Sequence, residues 1–183
     1  MKVAIGSIPG MNLIEVIKSS DERGSFSNLF SRDRLLAQGL DFQTEQVCGS
    51  VNKVKGTLRG LHYQAAPHEE AKLVHCLRGA LFDIVLDLRP ESPAFGNWCG
   101  VNLHTRNPQA LYIPEGCAHG FQTQEDDTEV LYQLSASYYS HLQRGIRWND
   151  SRFQIEWPMT PTVLSTRDAG YADFQGDETE GLD

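Results

Sequence analysis

The run Leu81-Phe82-Asp83-Ile84-Val85-Leu86-Asp87-Leu88-Arg89 constrains what this chain can fold into more than any other stretch. On an extended backbone, Phe82, Ile84, Leu86 and Leu88 point to one side, and Asp83, Val85, Asp87 and Arg89 to the other. That period of two predicts a half-buried β-strand. Shorter β-prone runs occur at 72–77, 110–113 and 130–134. Turn-formers separate them: Pro67, Gly79, Pro90, Pro93, Asn107-Pro108, Pro114-Glu115-Gly116 and Glu125-Asp126-Asp127. Strands punctuated this regularly predict an all-β sandwich or barrel. One helix is predicted, capped by Ser31, holding Leu35 and Leu36, and ended by Gly39. A parallel βαβ fold would need many more helical segments.

A chain of 183 residues suits one domain, 1–183, with a substantial core. Its last stretch, 171–183, is acidic and poor in apolar residues, and is expected to be frayed or loosely docked. The net charge of -8 argues against a general nucleic-acid binder. It leaves room for an anionic small substrate, because a few convergent Arg and Lys side chains can hold a phosphate inside an acidic protein. No signal peptide and no run of membrane-spanning length is visible, so a cytoplasmic protein is expected. Cys48, Cys76, Cys99 and Cys117 are widely spaced, without a CxxC pair, and read as reduced, buried thiols.

Two segments carry candidate chemistry. In Arg59-Gly60-Leu61-His62-Tyr63-Gln64, His62 offers a group that titrates near neutrality. Arg59 offers a fork for phosphate and Lys72 a point charge for an oxyanion; from adjacent antiparallel strands they could share a face with His62. In Pro114-Glu115-Gly116-Cys117-Ala118-His119-Gly120-Phe121, a turn delivers His119 just before a glycine, where backbone could approach a ligand closely. Taken singly, each of these side chains could equally be ordinary surface or structural residues. There is no GxSxG elbow, no P-loop and no GxGxxG opening a helix, which removes the common hydrolase, kinase and dinucleotide readings. A metal site drawing on His62, His68, Glu69, Glu70 and His119 is conceivable. Position 64, however, holds Gln64 rather than a second histidine on the face of His62, and an amide oxygen is a poor ligand for a transition metal.

An ordered set of motifs sharpens this reading. They are Asp21-Glu22-Arg23-Gly24-Ser25-Phe26, Gly56 to Gln64, Lys72-Leu73-Val74, Asp87-Leu88-Arg89 with Ser92-Pro93, and Pro114 to Phe121. Leu131-Tyr132, Gly145 to Asp150 and Ile155-Glu156-Trp157-Pro158 complete the set. The chain resembles the dTDP-4-dehydrorhamnose 3,5-epimerase family, the cupin-like sugar-nucleotide epimerases. The resemblance implies a jelly-roll β-sandwich with short helices, a homodimer, no metal and no other cofactor. The implied substrate is a nucleoside-diphosphate 4-keto-6-deoxy sugar. It implies His62 as the base, Asp168 as its carboxylate partner, Tyr132 as the acid on the opposite sugar face and Lys72 near the enolate oxygen. It implies substrate contacts at Arg23, Phe26, Gln46, Arg59, His119, Tyr138 and Arg167. Two positions depart from the family pattern: Asn28 where Glu is usual, and Cys48 where Asn is usual. Two rivals remain: a metal-dependent cupin enzyme, and a non-catalytic sugar-nucleotide-binding jelly roll.

Overall fold

The computed structural model describes the backbone of residues 2–4 and all of residues 8–175. The strands run β1 (Lys2–Ala4), β2 (Asn12–Glu15), β3 (Ile17–Asp21) and β4 (Gly24–Asn28), then helix α1 (Arg32–Leu36). They continue with β5 (Gln46–Asn52), β6 (Thr57–Gln64), β7 (Lys72–Arg78), β8 (Ala80–Asp87) and β9 (Trp98–His104). Next come β10 (Gln109–Ile113), β11 (Cys117–Thr123), β12 (Thr128–Leu134), β13 (Gln143–Gly145), β14 (Val163–Leu164) and helix α2 (Thr166–Ala169). The predicted helix is there but short: Ala37 closes α1, Gly39 turns the chain away, and the Ser31 side chain makes no capping bond.

Two sheets face each other. The first has the order β1-β2-β10-β7-β12-β5, the second β13-β6-β11-β8-β9, with β14 alongside β6. From β5 to β8 and again from β9 to β13, consecutive strands alternate between the sheets, while β8 and β9 pair as neighbours in the second. The result is a cupin-like sandwich, the architecture that the family resemblance implies. The inner faces meet through Leu13, Val74, Leu111, Leu81, Val85 and Phe121. Each fully buried aliphatic or aromatic side chain of this kind contributes about 1.5–3 kcal/mol. β3 and β4 form a separate hairpin beside this body.

The outer faces are covered too, which corrects the expectation for the run at 81–89. β8 is buried on both sides, not half-buried. Ile84, Leu86 and Leu88 pack under Ile146 and Phe153 from the later chain, while Asp83, Val85 and Asp87 face the first sheet. A buried carboxylate needs a partner. Asp87 has the Arg89 guanidinium at 2.6 Å and the Ser92 hydroxyl at 2.6 Å; Asp83 has His119.

The tail expectation is also corrected in part. Phe174 packs its ring against Phe153, its N–H donates to Asp150, and Asp173 pairs with Arg147. Residues 171–175 are therefore docked; 176–183 lie outside the described residues. Cys76 and Cys117 are buried thiols as expected, but Cys48 is exposed on β5.

Candidate active site

A β-bulge builds the floor of the site. On β6, Arg59 and His62 are three residues apart and would point to opposite faces of a regular strand. Their register partners on β11, Phe121 and His119, are only two apart. The extra residue turns both Arg59 and His62 toward the first sheet. Gly60 absorbs the bulge with φ +110, and a side chain there would meet Gly120 Cα at 2.6 Å. Gly120, expected to make room for a ligand, instead makes room for the neighbouring strand.

His62 is one-third exposed, and its Nε2 lies 2.8 Å from Asp168 Oδ1. With that ring N–H directed at Asp168, the other ring nitrogen keeps the lone pair that can take a proton. Asp168 arrives on α2, which places it beside β6. Its second oxygen accepts the Gly60 N–H at 3.1 Å, and its own N–H donates to Ser165 Oγ at 3.0 Å. Burial pushes the Asp168 carboxyl up, but the bonds to His62, Gly60 and Ser165 outweigh it and hold the group below the usual carboxylate range.

Lys72 comes from the facing sheet, not from a strand adjacent to β6 as the spacing suggested. Its Nζ donates to the His62 carbonyl at 3.2 Å and pairs with buried Glu70 at 3.2 Å. Tyr132, also on the first sheet, packs edge-on to His119 with ring centroids 6.1 Å apart, and His119 is the register neighbour of His62. Burial pushes the Tyr132 phenol well up, although its hydrogen bond with Ser50, 3.1 Å long, offsets part of this. Tyr132 therefore holds its proton at neutral pH. Arg59 joins the same network, its Nε donating to Asn52 Oδ1 at 2.7 Å, with Asn52 in turn bonded to Ser50.

His62, Asp168, Lys72, Tyr132, His119 and Arg59 are thus brought together between the sheets. Gln46 opens β5 on the face that carries Cys48 and Ser50, in the strand opposite Tyr132. Arg167 stacks its guanidinium over the Tyr171 ring, whose edge meets His62 at 6.0 Å between centroids. Tyr138 is exposed on the connection after β12, close enough to bear electrostatically on Tyr171. Arg23 and Phe26 do not join the set. They stand on the β3–β4 hairpin, where Arg23 binds Asp21 and Phe26 is 73% exposed.

Three residues escaped the sequence reading, and a fourth, Glu70, was weighed only as a metal ligand and instead pairs with Lys72. Asp83 could have been found as a carboxylate inside an otherwise apolar strand run. Ser50 carried no signal of its own. Tyr171 was hidden by the expectation of a loose tail; it packs so close to the chain that a side chain on Gly145 would meet its ring at 2.0 Å. Among the described residues, no three His, Cys, Asp or Glu side chains are grouped so as to hold a metal ion.

An accessible imidazole on one sheet and a protonated phenol on the other are the groups that acid–base chemistry needs, here on a cupin-like sandwich. Comparison with known proteins narrows this. The family model for dTDP-4-dehydrorhamnose 3,5-epimerase matches residues 6–176. The dTDP-4-dehydrorhamnose 3,5-epimerase of Shigella flexneri is 40% identical over 169 residues, covering 92% of this chain and 93% of that protein. The crystal structure of the Bacillus anthracis enzyme with TDP and PPi bound has a TM-score of 0.91 at 34% identity, covering 94% and 99% of the two chains. A 3′-monoepimerase from Streptomyces bikiniensis, in complex with dTDP-quinovose, has a TM-score of 0.84 at 34% identity, covering 91% and 85%. The chain belongs to the dTDP-4-dehydrorhamnose 3,5-epimerase family and is an epimerase, hence an isomerase.

Proposed function

We propose that the protein inverts carbon 3, carbon 5 or both in a thymidine-diphosphate-linked 4-keto-6-deoxy hexose. The observation that carries the reading is the His62–Asp168 pair on one sheet with Tyr132 on the sheet facing it. The family's relatives supply the nucleotide.

The protons on carbons 3 and 5 are acidic because the ketone lies between them. His62 takes one, and the C–H electron pair moves into the ring to form an enolate. Asp168 stabilises the imidazolium that results. Lys72, paired with Glu70 and steered by the His62 carbonyl, stabilises the enolate oxygen. Tyr132 then gives a proton to the carbon from the opposite face, and the ketone re-forms with that centre inverted. Water takes the proton from His62 and returns one to the Tyr132 phenolate, so nothing is consumed. Arg59 binds the diphosphate, with Gln46, His119, Tyr138 and Arg167 as further substrate contacts. Remote binding of this kind orients the sugar for both faces.

The protein acts as a single domain and as a homodimer. The hairpin supports the dimer: Arg23 and Phe26 are substrate contacts by family resemblance, yet they stand exposed in their own subunit, where a second copy could receive them. Four free thiols fit the reducing cytoplasm. Among the described residues, no helix is long and apolar enough to cross a membrane.

NMR in deuterated water against a panel of nucleotide-linked 4-keto-6-deoxy sugars tests the reading. We expect deuterium at carbon 3, carbon 5 or both of the thymidine-diphosphate sugar, with inverted product. Binding of the panel without any exchange would overturn catalysis in favour of a binding module. Loss of exchange on chelation, restored by metal, would favour a metal-dependent enzyme.

A further inference from the structure

Gln64 is buried on β6, two residues after His62, and all the hydrogen-bonding capacity of its amide is engaged. Its Nε2 donates to the His68 carbonyl at 2.5 Å and to the Ser137 carbonyl at 3.0 Å. Its Oε1 accepts the Tyr139 N–H at 2.9 Å and the Gln143 amide at 2.8 Å. Ser137 and Tyr139 flank Tyr138, so one side chain fixes the peptide groups on both sides of that tyrosine. The same segment is pinned again where Ala65 N–H donates to the Leu142 carbonyl at 2.9 Å and where the Tyr139 ring stacks on His68 at 4.3 Å. Tyr138 itself is left 56% exposed.

We propose that Gln64 is the positioning residue for Tyr138: its amide sets the direction in which that tyrosine is presented to the sugar nucleotide, from the same strand that carries the base. A loop held only by its ends would present Tyr138 in many directions, and ordering it on binding would weaken affinity. An amide is suited to the task because the segment offers one carbonyl and one N–H on either side of the tyrosine. A carboxylate would set its lone pairs against two carbonyls, and leucine would remove all four hydrogen bonds that hold the segment. This inference rests on reading Tyr138 as a substrate contact.

The test is a double-mutant cycle of Gln64→Leu and Tyr138→Ala, read as KM and kcat on the sugar nucleotide. Tyr138→Ala is expected to raise KM roughly tenfold, the scale of one lost aromatic contact. Gln64→Leu is expected to raise KM by a similar factor with kcat nearly kept, and the double variant to be no worse than Tyr138→Ala. Gln64→Glu covers the case in which leucine fails to fold: its KM should improve as the pH falls and protonation restores one donor. An unchanged KM in Tyr138→Ala would overturn the reading of Tyr138, and the inference with it. A raised KM in Tyr138→Ala beside unchanged KM in the Gln64 variants would overturn the inference alone. So would factors that multiply in the double variant.

Discussion

Two histidine–aspartate pairs sit side by side, His62 of β6 with Asp168 of α2 and His119 of β11 with Asp83 of β8, and they differ in access and alignment. His62 is one-third exposed, its bond to Asp168 is aligned, and Asp168 is held by two further backbone and hydroxyl contacts. His119 and Asp83 are both buried. Their nearest atoms are 2.7 Å apart, but they are not aligned as a hydrogen bond, and neither Asp83 oxygen has another hydrogen-bond partner among the described residues. The first pair can exchange a proton with a ligand or water. The second is a close contact of two groups locked between sheets, next to Tyr132. Access and alignment, not residue identity, fit His62 for the role of base that we propose and leave His119 as a buried wall.

Replacing each histidine breaks the comparison most sharply. His62→Asn is expected to lower kcat on the order of 10²–10⁴-fold, and His119→Asn on the order of tenfold, in steady-state epimerisation. Tyr132→Phe should lower inverted product on the order of 10²-fold while solvent exchange into substrate persists; equal loss of both would sink Tyr132 as the second-face acid. On stability the ranking reverses. Removing one member of a buried pair leaves the other uncompensated, so Asp83→Asn should cost about 3 kcal/mol in denaturant titration, against about 1 kcal/mol for Asp168→Asn.

Two pH dependences follow. Asp168 is held below its ordinary value, so its ionised form stabilises the fold above the unfolded carboxylate range. That contribution is lost as the pH falls through the folded value, and Asp168→Asn should lack it. His75 behaves in the other sense. It is buried on β7 with neither ring nitrogen hydrogen-bonded, and burial pushes it down to about 4. The unfolded chain therefore binds a proton first, so stability falls as the pH drops from about 6.5 to about 4, by up to about 3 kcal/mol. His75→Leu should flatten that part of the stability curve; an unchanged curve would show that His75 is protonated in the fold.

The period-two runs made the strands legible, because alternation of side chains is a local property of extended backbone. The two-sheet partition was less so: Lys72 lies on the sheet opposite His62, and nothing in their spacing says which strands pair. The bulge that puts Arg59 and His62 on one face depends on Gly60 meeting Gly120, a contact between segments distant in sequence. Asp168 and Tyr132 came from the family pattern and could not have come from periodicity. The docking of residues 171–175 was illegible for a compositional reason: two aromatics, Tyr171 and Phe174, are outnumbered by acidic and small neighbours, yet those two rings do the packing.

The central claim is that His62, and not His119, removes the proton. Its most direct measurement is deuterium incorporation from solvent into a thymidine-diphosphate 4-keto-6-deoxy hexose by the wild type, His62→Asn and His119→Asn under single-turnover conditions. The account predicts that exchange at the ring carbons disappears in His62→Asn and persists in His119→Asn. Exchange at the wild-type rate in His62→Asn would contradict it.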